Sequence, residues 1–211
     1  MTRRIAFAFP AALILAVSPA LARAEEGPLQ VRLRGVYIDT ANKSDAIGAL
    51  GVPADAIHVS NKTIPEVDFS YFLTPHVAAE LILTYPQKHD VDVAGTKIGS
   101  FKHLPPVLGL QYHFAPAGVV RPYVGVGVNL TLLMDVNLAV PGVGALDLES
   151  ASVGVAGQAG LDVKIAERWF LNADVKYVTI RSDVSLAASG AKVSAVQVDP
   201  WLVGFGIGYR F

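Results

Sequence analysis

The sequence predicts an all-β fold: an eight-stranded antiparallel transmembrane β-barrel with short periplasmic turns and four longer external loops. Three observations carry that expectation. Apolar and aromatic residues recur at every second position in eight separate runs. Hydrophobic residues make up 52% of the chain, yet nothing after residue 24 resembles the roughly twenty uninterrupted apolar positions of a spanning helix. A barrel resolves that pairing, because only alternate residues of each strand meet lipid. The chain also begins like an exported protein and contains no cysteine.

Arg3 and Arg4 precede the apolar stretch Ile5 to Val17, and Ala22-Arg23-Ala24 offers a small-x-small cleavage site. These features predict a signal peptide over 1–24 and a barrel domain over 25–211, placed in the bacterial outer membrane after the leader is cleaved. Removing Arg3, Arg4 and Arg23 leaves 14 basic against 18 acidic side chains, a formal charge of about −4. No basic stripe points to nucleic acid, and without cysteine neither a disulfide nor a lipidated N-terminus is available.

The strands follow in order: Gln30 to Thr40, Thr63 to Phe72, Val77 to Tyr85, Leu104 to Phe114, Val119 to Leu132, Ser152 to Ile165, Arg168 to Arg181 and Val196 to Phe211. In the last, Trp201, Val203, Phe205, Ile207, Tyr209 and Phe211 form one row, while Leu202, Gly204, Gly206, Gly208 and Arg210 form the other. With a side-chain period of two, the greasy row faces lipid and the small row a narrow lumen. A soluble eight-stranded barrel would not need an outward aromatic row. Short links near Leu73-Thr74-Pro75, Ala115 to Gly118 and Glu167 alternate with long ones at Ala41 to Lys62, Pro86 to His103, Leu133 to Ala151 and Ser182 to Ala195. That alternation puts both termini in the periplasm. Tyr71, Phe114, Trp169, Tyr209 and Phe211 are expected in a periplasmic aromatic girdle, with Tyr37, Tyr85, Tyr177 and Trp201 in an outer one.

The inward positions divide by height. Near the periplasmic end the sequence places Arg32, Arg34, Glu66, Asp68, Glu80, Arg121, Asp162, Lys164, Asp174, Lys176 and Arg210. Six bases and five acids in so narrow a tube predict an interlocked charge plug, joined by Gln111, His113 and Gln158. Toward the loops the inward set becomes Val36, Ile38, Ile64, Ile82, Val107, Val178, Ile180 and Leu202, a hydrophobic lumen. An apolar cup above a charged plug suits capture of small hydrophobic solutes, with sideways release through the wall. Pro65, Pro105, Pro106 and Pro200 each remove a ladder donor near the outer strand ends. A surface receptor, or a structural barrel without transport, is the competing reading.

Five stretches then carry a resemblance: His103-Leu104-Pro105-Pro106, Arg121-Pro122-Tyr123-Val124-Gly125-Val126-Gly127, Ala156-Gly157-Gln158-Ala159-Gly160-Leu161-Asp162, Asp199-Pro200-Trp201 and Gly208-Tyr209-Arg210-Phe211. In that order and spacing the chain resembles the OmpW family of outer-membrane proteins, from about Val31 to Phe211. The resemblance implies an eight-stranded barrel with a hydrophobic lumen that passes small hydrophobic compounds, alkane-uptake proteins among them. It also implies that Tyr209 and Phe211 act as an assembly signal read by the barrel-assembly machinery. Outer-membrane lipid is the expected surrounding, and a closed barrel has no edge strand that requires a partner.

No catalytic, cofactor or metal site is expected. The five histidines lack metal-ligand spacing, and the remaining suggestions are weak: His89-Asp90 with Asp92 for a cation, Ser100 with His103 for a nucleophile pair. Val52 to His58 is left open, either extending the first hairpin or folding over the mouth.

Overall fold

The computed structural model describes residues 26–47 and 52–211. The expected signal peptide, 1–24, lies outside the described residues.

Eight antiparallel strands close a ring: β1 (Leu29–Asp39), β4 (Lys62–Phe72), β5 (Val77–Leu83), β8 (Val107–His113), β9 (Val120–Val140), β11 (Ala151–Lys164), β12 (Trp169–Val178) and β15 (Trp201–Arg210). Each pairs with the next, and β15 returns to β1 in register from Gln30↔Arg210 to Asp39↔Trp201. Joining first strand to last leaves the ring without an open edge strand, as lipid demands. Three tight turns close the base. Leu73 N–H donates to the Val77 carbonyl (2.9 Å), Gly118 N–H to Ala115 (3.0 Å) and Ile165 N–H to Trp169 (2.9 Å).

The alternation decides which face is wet. Val126 and Val153 are 71% and 74% exposed, and much of the outer row is exposed with them. An apolar skin of that extent belongs in lipid. Aromatic rings border it at both heights: Trp169 meets Tyr209 edge-on with centroids 4.9 Å apart, and Tyr177 meets Trp201 at 5.0 Å.

The four long links depart from the sequence expectation. They are largely strand: β2 (Lys43–Ser44), β3 (Ile57–Val59), β6 (Gln87–Val93), β7 (Thr96–Leu104), the upper part of β9, β10 (Gly144–Leu148), β13 (Arg181–Leu186) and β14 (Lys192–Gln197). These run side by side in the order β3-β6-β7-β9-β10-β13-β14-β2. Asp55 N–H donates to the Ser44 carbonyl (3.0 Å) and helps tie the two ends of that row together. The result is a second, extracellular storey standing on the barrel. At about 3.3 Å per residue, β9 with its 21 residues is roughly twice as long as a membrane needs, and it runs through both storeys. Ala94 and Gly95 turn β6 into β7, both at positive φ (49° and 81°), the hairpin geometry that suits twisted strands. Val52 to His58 does both things left open above: Val52 bridges Ile47 and Asp55 reaches Ser44 across the same link, and Val52 also lines the cavity inside the storey, while β3 adds to β6 of the next link.

The two storeys meet where the long runs break. The expected final strand, Val196 to Phe211, is divided at Val198–Pro200, where Pro200 offers no N–H and Asp199 has φ 27°. The run from Arg168 to Arg181 breaks after Val178, and that from Leu104 to Phe114 breaks at Pro105-Pro106.

Candidate transport path

The interior reads upward in four levels. At the base, Glu26 is clamped by three bases. Its carboxylate accepts from both terminal nitrogens of Arg121 (2.5 and 2.9 Å), from Lys164 Nζ (2.6 Å), and lies 3.4 Å from Arg210 Nη1. Two aromatic floors support them. The Arg210 guanidinium sits 3.7 Å from the Phe72 ring centroid, and that of Arg121 sits 4.8 Å from Phe170. Glu26, Phe72 and Phe170 escaped the sequence reading. The signal for Glu26 was there: six inward bases against five acids leaves one acid to find.

The next level is an ion-pair belt. Arg32 is fully buried and holds Asp162 in a fork, Nη2 to Oδ2 at 2.6 Å and Nε to Oδ1 at 3.1 Å. It also reaches Asp68 (2.9 Å) and the Ser70 hydroxyl (2.8 Å). Arg34 contacts Glu66 (2.6 Å), Asp68 (3.2 Å) and Asp174 (3.0 Å), and Lys176 completes the ring 3.3 Å from Glu66. Glu80 takes hydrogen bonds from Gln111 Nε2 (2.6 Å) and Gln158 Nε2, and a His113 ring nitrogen lies 3.1 Å from Gln111 Oε1. The glycines of the wall make room for these side chains. A Cβ on Gly204 would collide with Asp174 Oδ1, and one on Gly160 with the Tyr123 ring that stacks under Arg32. Desolvating so many charges is tolerable because nearly every one has two or more partners.

The sequence reading grouped all eleven charged residues near the periplasmic end, and the register spreads them. Arg121, Lys164 and Arg210 lie at the base around Glu26, whereas Arg32 and Arg34 reach mid-barrel and Lys176 stands opposite Leu202. The reason is stagger: adjacent strands are sheared around a closed barrel, so equal distance from a turn is not equal height.

Above the belt, Val36, Ile38, Ile64, Ile82, Val107, Val178, Ile180 and Leu202 pack into one buried apolar cluster. That cluster continues without a break into the extracellular storey. There Val59, Val91, Phe101, Leu133, Leu138 and Val196 line a cavity of about 910 Å³, counted with its solvent-open mouth. Among the described residues its polar lining is confined to His103 and Ser182.

The weak suggestions separate by face. On β6, His89 points inward while Asp90 is exposed and pairs with Lys97 (2.8 Å), so no cation cage forms. Ser100 and His103 are three apart on β7, which places them on opposite faces of the strand. His89 and His103 instead stack on each other, centroids 4.7 Å apart, at the neck below the cavity. Burial holds His103 down to about 3, helped by His89 and Lys62 nearby, and burial lowers His89 as well. Both rings are therefore neutral at physiological pH.

Residues 25–211 match the OmpW family. The chain is 38% identical to the uncharacterized outer-membrane protein y4mB of Sinorhizobium fredii, over 97% of this chain and 92% of that one. It is 34% identical to outer membrane protein W of Escherichia coli, over 82% of each. The dibenzothiophene metabolism operon protein PahQ of Pseudomonas aeruginosa is 28% identical over 99% of both chains. Among solved structures, the crystal structure of OprG from Pseudomonas aeruginosa superposes with a TM-score of 0.74 at 30% identity, over 88% of this chain and 97% of that one. The solid-state NMR structure of AlkL shares the fold with a TM-score of 0.70 at 23% identity, over 98% and 97%. The chain belongs to the OmpW family and is an eight-stranded β-barrel of the outer membrane.

Proposed function

We propose that this barrel admits small hydrophobic molecules from outside through the extracellular cavity, carries them down the apolar lumen, and releases them sideways above the ion-pair belt. One observation carries the reading: apolar surface is continuous from the cavity at Val196 and Val91 to Leu202 and Ile82 inside the barrel, and it stops at Lys176 and Glu80. A solute that partitions into this interior gains burial of its apolar area, about 25 cal/mol per Å², and meets no comparable reward at the belt. The tightly paired belt acts as the plug.

A sideways exit is supported by the wall at one height. β4 stays paired to β1 up to Ile38↔Lys62 but pairs with β5 only as far as Val67↔Leu83. Beyond that point the Thr84 hydroxyl donates to the Pro65 carbonyl (2.8 Å), in place of a regular ladder. Pro65, Pro86, Pro105 and Pro106 all stand around this gap, and none can supply an N–H to close it. The operon name of PahQ, which concerns an apolar aromatic compound, fits a solute of this class.

The test is entry of toluene against glucose into vesicles containing lipopolysaccharide, with and without the protein. Faster entry of toluene alone is expected, and Leu202→Asp should reduce it about tenfold by placing a polar group on the path. Entry of both solutes would mean that the belt is no plug. No effect on either would favour a receptor or purely structural barrel.

A further inference from the structure

The neck between the cavity and the barrel lumen holds polar atoms that the apolar path does not need. On β6, Gln87 and His89 lie two residues apart on the inward face, and both are fully buried. The His89 Nδ1 lies 2.7 Å from the Ser60 carbonyl, so it carries the ring proton and donates it. That leaves Nε2 as a bare acceptor, and among the described residues it has no partner. The Gln87 amide nitrogen donates to the Tyr85 carbonyl (2.9 Å), and its Oε1 likewise has no partner. His103, opposite Gln87 in register, stacks on His89 and forms part of the cavity lining. Two unpartnered acceptors on one strand, beside a ring that reaches the cavity, are an unusual arrangement, because buried polar atoms are ordinarily satisfied.

We infer that this collar binds the hydroxyl end of an apolar molecule, an alcohol or a phenol, whose hydrocarbon body fills the cavity above or the lumen below. The inference rests on the uptake reading given above and narrows its substrate class. The acceptors select by chemistry. A hydroxyl donates to His89 Nε2 or Gln87 Oε1 and satisfies a group that is otherwise unpaired. A plain hydrocarbon leaves both unpaired. A carboxylate brings only lone pairs against lone pairs and is disfavoured. An ammonium group could donate, but its charge would have to be stripped of water among apolar walls.

The same vesicles distinguish the possibilities, using 1-octanol, n-octane and octanoate, each corrected for entry into protein-free vesicles. The expected result is protein-dependent entry of octanol exceeding that of octane roughly fivefold, the factor one net hydrogen bond supplies, with octanoate slowest. His89→Phe keeps a flat ring against His103 and Phe101 but removes the acceptor. It should bring the octanol-to-octane ratio close to one, and Gln87→Leu should lower the ratio less. A ratio that His89→Phe leaves unchanged would overturn the inference, and so would a wild type without preference. Equal loss of both solutes in the variants would overturn it too, since the side chains would then only shape the neck. If wild type admits none of the three, the uptake reading itself has failed. A second readout needs no variant: in the labelled wild-type protein, octanol should shift the His89 Nε2 nitrogen resonance and octane should not.

Discussion

The lower barrel and the extracellular storey bury opposite chemistry behind walls of the same pleat. In the lower barrel the inward face is arginine, lysine and carboxylate, knotted around Arg32 and Arg34. In the storey it is valine, leucine and phenylalanine around an open cavity. Outside, the relation reverses: the lower wall is greasy and meets lipid, while the upper wall carries exposed pairs such as Lys97–Asp90 and Lys192–Asp183. The pleat offers two faces and the solvent chooses between them. Where lipid surrounds the wall, charge must go inside and be paired; where water surrounds it, apolar residues go inside and hold the walls together.

The sharpest way to break this contrast is to remove one charge from the belt. Arg32→Met strands Asp68 and Asp162 without their fork, and should cost about 3–5 kcal/mol of barrel stability. The urea midpoint of unfolding in lipid vesicles measures this. An unchanged midpoint would mean that water reaches the belt.

Acid should loosen the upper region through His103. The folded-state value of His103, about 3, lies below its ordinary 6.5. Below pH 6.5 the opened storey therefore binds a proton that the closed one refuses. The stability this ring contributes is present above pH 6.5 and is lost as pH falls toward 3. His89, stacked on it, and Lys62 are the charges or potential charges nearby, and both disfavour a proton on His103 further. By pH 4 the loss is about 3 kcal/mol. Hydrogen exchange should accelerate in β6 and β7.

The smallest effect is expected at the floor. Glu26→Gln leaves Arg121, Lys164 and Arg210 facing a neutral amide in a partly wet site, a loss of about 1 kcal/mol. Conductance for small anions should rise in planar bilayers. If the conductance is unchanged, the belt above the floor is the tighter seal.

The eight membrane strands were legible because lipid enforces strict alternation: Trp201 to Phe211 can be assigned face by face without coordinates. The upper strands were not, and they passed for loops. Segments such as Gln87 to Val93 mix His89 and Asp90 with Val91, and their alternation is diluted by the water outside and by tight turns such as Ala94-Gly95. The alternation missed Glu26 for another reason. It precedes the first strand, and no periodicity marks a residue that folds back under the barrel.

Local patterning thus determined the strand count, the inward and outward faces, and the membrane as solvent, since each follows from a period of two and a length of ten residues. Tertiary structure alone decided the stagger that raises Lys176 level with Leu202, the second storey built from distant links, and the meeting of His89 with His103. Those depend on which strand lies beside which and at what shift, and closing a ring sets both through pairings that span nearly the whole chain.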